Sequence, residues 1–460
     1  MRDHRIRVGY WDRSCKETLW FPHDSHLILT APAGMGKFRD VLCGMGALWP
    51  GSMLWVDPKL QAGCVLARHI AKTHDVQFLN PFGLFPELIG RYPQARINPL
   101  DTLDSTVSSF GADCDANAEG VITEQSNRAE DSHFPLAAKD GCSGLFGALV
   151  KHGRPEERNL AVARQLVCSP NFFEFCRKIV SITDDDFIRQ KLGRFTSPKV
   201  EENREILGIV STIITQSSFL GNKAIADNLR ESTFRWRDLK KRPTCIFLGV
   251  PARQLGPCDK WFRLIVANAM NQLLHEERGV PVLLVLDEFA QLGRLKVIEN
   301  AMALARGYGV QLLPVLQDLN QLKGIYGESY QTFLANAGCR IFLSPQDKFT
   351  ADFVSDACGE TEIRTVSRSL NRNRNGTLEP NISVAPQRQK YLLPQAVREL
   401  PGDEMLVFGT GIRGVIRAGR RPYYLCPELN GMWDPDPYHQ PDQGGDEQET
   451  RGGFLRWLLG

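Results

Sequence analysis

Over the first hundred residues the apolar positions fall in short, strand-length blocks separated by helical spacing. Residues 26–30 form one such block and end at a glycine-rich loop. The pattern predicts a helix from that loop to about Leu48, a strand over 52–56 and a strand over 76–79. Between the last two, residues 59–72 have Leu60, Cys64, Ala67 and Ala71 on one helical face. Strands separated by helices of this length predict right-handed βαβ units and a parallel sheet.

The texture changes from Asp101 to about Lys241. Acidic and polar residues dominate 101–131, β-rich runs disappear, and helical spacing appears in 132–151, 156–167, 171–182 and 203–219. This predicts an all-helical insertion; the plainer alternative is a helical layer of the same domain. Alternation then resumes. Strands are expected over 244–250, 282–286, 311–316 and 340–344, and helices over 260–277, 295–306, 330–337 and 349–358. The run 282–286 has no polar position, so it reads as a strand buried on both faces. Residues 364–390 are polar and basic, with Arg364, Arg368, Arg372, Arg374, Arg388 and Lys390, and are expected to form a mobile loop or strand connection. Such a stretch suits either solvent or the phosphates of a nucleic acid. Residues 404–408 and 415–417 read as a closing hairpin, the chain beyond Pro427 as an extended tail, and 452–460 as a short apolar turn.

Bulk properties narrow this only a little. A chain of 460 residues exceeds one average domain, and a net charge of +2 names no partner. The 12 cysteines form no C-x-x-C pair and no zinc-ligand spacing with histidine, which favours reduced, mostly buried thiols. Residues 1–20 lack the apolar core of a signal peptide. No run approaches the roughly 18 apolar residues needed to span a bilayer, so a soluble chain is expected.

Two distant segments carry candidate chemistry. Ala31-Pro32-Ala33-Gly34-Met35-Gly36-Lys37-Phe38 follows the first strand and opens a helix. Small residues let backbone N–H groups surround phosphate oxygens, glycines supply unusual backbone angles, and Lys37 supplies a point charge. Ala33, Gly34, Met35, Gly36, Lys37 and Phe38 are therefore the candidate nucleotide-binding residues. The usual pattern is G-x-x-x-x-G-K-[ST]; here Ala31 takes the first place and Phe38 the last. A hydroxyl in the last place coordinates magnesium, and phenylalanine cannot. Water takes that position, or nucleotide binds with weakened catalysis, or the site is degenerate. The second segment ends a buried strand with Asp287-Glu288. Asp287 suits magnesium, held through water, and Glu288 suits activation of the attacking water. Together the two segments predict ATP and Mg2+ as ligands.

The text around the second segment resembles the conjugative coupling proteins of type IV secretion systems, the TraG/TraD-type family. The resemblance rests on residues 286–294, on Ala305-Arg306-Gly307-Tyr308-Gly309-Val310 and on Leu316-Gln317-Asp318-Leu319-Asn320-Gln321-Leu322. Asp57-Pro58-Lys59, Asn80-Pro81-Phe82, Asn98-Pro99-Leu100 and Leu400-Pro401-Gly402-Asp403-Glu404 agree in the same order. It covers about residues 20 to 425. The resemblance implies an α/β fold, RecA-like, with a mostly parallel sheet and an inserted all-α domain. Its parts would be 1–100 and 242–426 as the ATPase domain, 101–241 as a cargo-recognising insertion, and 427–460 as a polar tail. It also implies a homo-hexameric ring at the cytoplasmic face of the inner membrane. That ring would recruit relaxase bound to single-stranded DNA, or effector proteins, and feed them to the secretion channel. Arg306 would be an arginine finger reaching a neighbouring subunit; an ordinary helix-end arginine is the alternative. Gln317 would sense the γ-phosphate; a buried, hydrogen-bonded glutamine is the alternative. The transmembrane helices that the family carries ahead of this region are not found, so membrane attachment is expected through partners. Phe38 leaves a second functional reading open, a catalytically weak or inactive nucleotide-binding docking adaptor.

Overall fold

A computed structural model describes residues 5–22, 24–123, 133–274, 279–372 and 378–439. The expected apolar turn at 452–460, Arg374 and part of the acidic stretch at 101–131 lie outside the described residues.

Thirteen strands are described: β1 Arg5–Tyr10, β2 Thr18–Pro22, β3 His26–Thr30, β4 Ser52–Val56, β5 Asp75–Leu79, β6 Thr244–Leu248, β7 Val282–Leu286, β8 Val310–Leu316, β9 Ala337–Phe342, β10 Glu360–Arg372, β11 Leu378–Lys390, β12 Glu404–Gly409 and β13 Ile416–Gly419. Eleven form one sheet in the order β2-β1-β13-β12-β9-β3-β8-β7-β4-β6-β5. The seven from β9 to β5 are mutually parallel, and the β12–β13 and β1–β2 hairpins extend the sheet antiparallel beyond β9. This is the α/β, mostly parallel architecture that the alternation predicted.

Both faces of the parallel strands are covered, which is why their sequences are nearly continuous in apolar residues. Successive residues alternate between two cores. Leu54, Val56, Leu284 and Leu286 join one cluster, and Met53, Trp55, Leu283 and Val285 join the other. The first core runs on from the sheet into the helices between β5 and β6, where no strand is found among the described residues. Helix Asp259–Leu273 makes that junction through polar ties as well as packing. Asn268 donates to Asn117 (2.8 Å) and accepts from the Trp236 indole (2.7 Å), and Arg263 donates to the Leu292 carbonyl (3.0 Å).

Two regions depart from the sequence expectation. The β1–β2 hairpin was not foreseen, and the basic segment expected as a mobile loop or strand connection is a two-stranded ribbon. In it β10 and β11 pair without slippage from Glu360↔Lys390 to Arg372↔Leu378. Cross-strand register puts Arg364, Val366 and Arg368 on one face with Pro386, Val384 and Ile382 opposite them. Val366, Ile382 and Val384 are all more than half exposed. With neither face buried, the period-2 apolar signal that announces a strand never develops. Among the described residues, no helix is long and apolar enough to cross a membrane.

Candidate nucleotide site

The carboxyl ends of parallel strands collect ligands because loops and helix starts converge there. Five strands deliver polar groups to that edge. β3 runs into the glycine loop, β7 into Asp287 and Glu288, β8 into Gln317, β4 into Asp57, and β8 lies between β3 and β7. The Asp287 N–H continues the ladder by donating to the Val56 carbonyl (3.1 Å), which sets Asp287 beside the end of β4. The remaining strand of the five, β6, accepts the Asp57 N–H on its Leu248 carbonyl (2.9 Å).

Lys37 closes this arrangement. Its Nζ lies 2.9 Å from Asp287 Oδ1 and 2.8 Å from Glu288 Oε1. Gln317 Nε2 donates to the other Glu288 oxygen at 3.3 Å, and the Gln317 N–H donates to Gln321 Oε1 (2.9 Å). Four residues singled out from sequence, more than 250 positions apart at the extremes, thus form one connected cluster. Burial pulls the Lys37 ammonium toward neutrality, but the two carboxylates outweigh it and hold its pKa above the usual lysine value. Burial likewise works against the Glu288 charge, and Lys37 and the Gln317 hydrogen bond overcome it, so Glu288 stays below the ordinary carboxyl range. At Asp287 burial wins and the pKa is raised despite Lys37. Two neighbouring carboxyls are thereby pushed apart, with Glu288 kept ionised by its pairing with Lys37. Glu288 also has a left-handed backbone (φ 58°), an uncommon conformation for a non-glycine residue that aims its side chain back at the loop.

In the loop, Gly34 (φ 78°) and Gly36 (φ 80°) both adopt left-handed geometry, which explains glycine at each. Ala33 and Gly34 are exposed, and Met35, Gly36 and Lys37 are half-buried. The helix that follows starts wide, with π geometry over Lys37–Leu42, before tightening into Cys43–Leu48. In this turn Phe38 points down, not into the loop. Its ring is 6 % exposed and meets Trp55 (centroids 6.5 Å apart) and Tyr423 (6.1 Å) edge-on. The residue singled out for its missing hydroxyl is a core side chain.

Arg306 lies elsewhere. It precedes β8, whereas Gln317 follows it, and seven residues of strand separate the two edges by about 20 Å. On that far edge Arg306 is exposed and pairs with Asp24 (2.7 Å). Sequence reasoning missed three residues that shape the site. Asp57 is buried beside Asp287. It accepts the Gly63 N–H (3.2 Å), and burial together with the Asp287 charge lifts its pKa to about 7. The hint was an apolar strand ending in Asp, the same signal that picked out Asp287. Asp40 and Arg420 form a buried pair beneath the loop (2.9 Å), for which the sequence offers no local signal. Among the described residues no three His, Cys, Asp or Glu side chains form a metal cluster.

Comparison with known proteins places the chain in a family and a fold. The family model described as Type IV secretory system Conjugative DNA transfer matches residues 4–437. The conjugal transfer protein TraG of Agrobacterium fabrum is 23% identical over 433 residues, covering 92% of this chain and 64% of the relative. Protein VirD4 of Rhizobium radiobacter is 30% identical over 478 residues, covering 98% of this chain and 66% of the relative. The chain therefore spans about two thirds of the length of the curated relatives it matches. Among solved structures, the bacterial conjugative coupling protein TrwBdeltaN70 in its unbound form aligns with a TM-score of 0.66 at 18% identity, covering 92% of this chain and 88% of that one. TrwB has also been solved with a non-hydrolysable ATP analogue and with ADP and Mg2+. The fold is the RecA-like α/β fold of these structures.

Proposed function

The chain belongs to the family of type IV secretory system conjugative DNA transfer proteins, and from that premise we propose that it is an ATP-dependent coupling protein. It recruits relaxase-bound single-stranded DNA or effector proteins and drives them into a type IV secretion channel. The observation that carries this reading is Lys37 held at 2.8–2.9 Å from both Glu288 and Asp287, with Gln317 on the far oxygen of Glu288. A lysine poised between a glycine loop and an acidic strand end exchanges its carboxylate partners for phosphate oxygens when nucleotide enters.

The residues present fit ATP and Mg2+. Two left-handed glycines and a charged lysine suit the phosphates. Asp287, at the end of a strand and beside Asp57, gives an oxygen donor set for a hard cation. Bound Mg2+ would neutralise charge on the phosphates. Within the protein, Ala33 to Phe38 wrap the phosphates through their backbone, and Lys37 binds the terminal ones. Glu288 orients and deprotonates the attacking water, and Gln317 reports the state of the γ-phosphate to β8. Arg306, out of reach of its own Lys37, serves the site of the next subunit in a homo-hexameric ring. Residues 101–241 recognise cargo, and the Arg364, Arg368 and Arg388 side chains of the ribbon offer charge to DNA phosphates. The ring sits in the cytoplasm at the inner membrane, held there by partners. Phosphate release by the purified protein with Mg2+ is expected to rise with single-stranded DNA and to vanish in Lys37→Ala. Equal rates in the two proteins would refute the site.

Phe38 favours a second reading. Its buried ring leaves the loop without the hydroxyl that ordinarily reaches magnesium, which suits a nucleotide-gated docking adaptor with little turnover. Tight ATP binding without DNA-stimulated phosphate release would select the adaptor.

A further inference from the structure

Beneath the phosphate loop lies a buried ion pair that neither the loop pattern nor the acidic strand end requires. Arg420 directly follows β13, on the antiparallel side of the sheet, and its side chain is 2 % exposed. Its Nη1 donates to the main-chain carbonyl of Met35, in the middle of the loop. The same nitrogen donates to Asp40 Oδ2 at 2.9 Å. Asp40 is equally buried, on the first turn after the loop, and also accepts from Arg39 Nε (2.6 Å) and Nη2 (3.1 Å). Its N–H donates to the Gly36 carbonyl (2.8 Å), and its carboxylate fills the space a Cβ at Gly36 would take, 2.6 Å away. Arginine and aspartate thus hold both carbonyls that flank the Gly36 N–H.

We propose that Arg420 is a positioning residue for phosphate binding, acting through the Met35–Gly36 peptide. A trans peptide is planar, and its C=O and N–H point in opposite directions. Fixing the Met35 carbonyl downward on a buried guanidinium turns the Gly36 N–H upward, to the solvent side of the loop, where it can donate to a phosphate oxygen. Without the clamp the peptide is free to flip and present its carbonyl, which repels phosphate. The pair also explains a cost that would otherwise go unreturned. Removing two charges from water is expensive, and packed apolar side chains of the same volume would serve stability as well or better. Preorganised N–H donors are where such a cost is recovered in function. Because β13 supplies Arg420, the clamp also ties the antiparallel hairpins to the nucleotide loop. This inference rests on the site binding nucleotide.

The test measures binding of a fluorescent ATP analogue, the Michaelis constant for ATP and the melting temperature on the full chain. Arg420→Met keeps the volume and removes every donor, and the double variant Arg420→Met/Asp40→Asn removes the second buried charge as well. The double variant is expected to melt near the parent temperature yet bind the analogue at least about tenfold more weakly, with the Michaelis constant rising more than the turnover number falls. Arg420→Lys keeps one donor for the Met35 carbonyl and should recover part of the affinity. A folded double variant with parental affinity overturns the clamp while leaving the nucleotide site intact. A parent protein that binds no analogue overturns the proposed function, and the clamp with it.

Discussion

The two ends of strand β8 teach different things about the same reaction. At its carboxyl end Gln317 is half-buried and hydrogen-bonded to Glu288, inside a cluster the chain builds alone. At its amino end Arg306 stands in solvent, paired with Asp24. An exposed ion pair of this kind contributes little, well under about 1 kcal/mol, so it does not explain why an arginine is there. Seven residues of strand cannot be folded away, so one chain cannot bring Arg306 to its own Lys37. One edge of the sheet is therefore the proposed site, and the other edge fits the completing half of a neighbour's.

The largest effect should come from separating these halves. Arg306→Ala is expected to lower hydrolysis by about a thousandfold or more while leaving nucleotide binding by the isolated chain unchanged. Glu288→Gln should abolish turnover for a different reason, loss of the base. Mixed together, the two inactive proteins should recover measurable phosphate release. A ring places the intact Arg306 of one variant against the intact Glu288 of the other. If mixing restores nothing while both variants still assemble, Arg306 is not donated between subunits and the contrast between the edges collapses.

A second prediction concerns the floor of the carboxyl edge. Restoring the hydroxyl by Phe38→Ser looks, from the sequence, like the repair of a damaged loop. Packing says otherwise, because the ring lies against Trp55 and Tyr423 in the core. The substitution should cost about 3–5 kcal/mol of stability, from lost burial and the cavity left behind. Denaturant unfolding of the variant checks this. Unchanged stability would mean that the side chain at 38 is not packed in the core.

Legibility in the sequence follows the same division. Strands β3, β4, β6, β7 and β8 announce themselves because burial on both faces makes them nearly continuous in apolar residues. Lys37, Asp287, Glu288 and Gln317 are legible because each terminates or follows such a strand. β1 is not, since its pattern is interrupted by Arg7, a buried arginine whose partner Glu428 lies 421 residues away (3.0 Å). Arg420 and Asp40 are hidden for the same reason, at 380 residues' separation. The β10–β11 ribbon is hidden for the opposite one: among the described residues nothing covers it, so its strands read as polar loop. Local signals report burial on a regular element, and they fail where an interaction is made by two distant charges or completed outside the chain.

The smallest predicted effect returns to the far edge, where His26 opens β3. Its ring is buried and its Nδ1 accepts the Leu312 N–H (3.0 Å). Burial, with a lesser push from the Arg306 charge, depresses its pKa to about 4. In the unfolded chain the ring titrates near 6.5. Between those two values the unfolded state binds the extra proton and the folded state does not. Stability is therefore lost as pH falls from about 6.5 to about 4, by up to about 3 kcal/mol. His26→Asn keeps an acceptor for Leu312 and removes the titration, so its stability should fall less steeply over that window. Arg306→Ala should move the midpoint slightly upward, because one of the charges opposing protonation is gone. Parallel pH–stability curves for parent and His26→Asn would mean that His26 is solvated, and the far edge would be looser than its packing indicates.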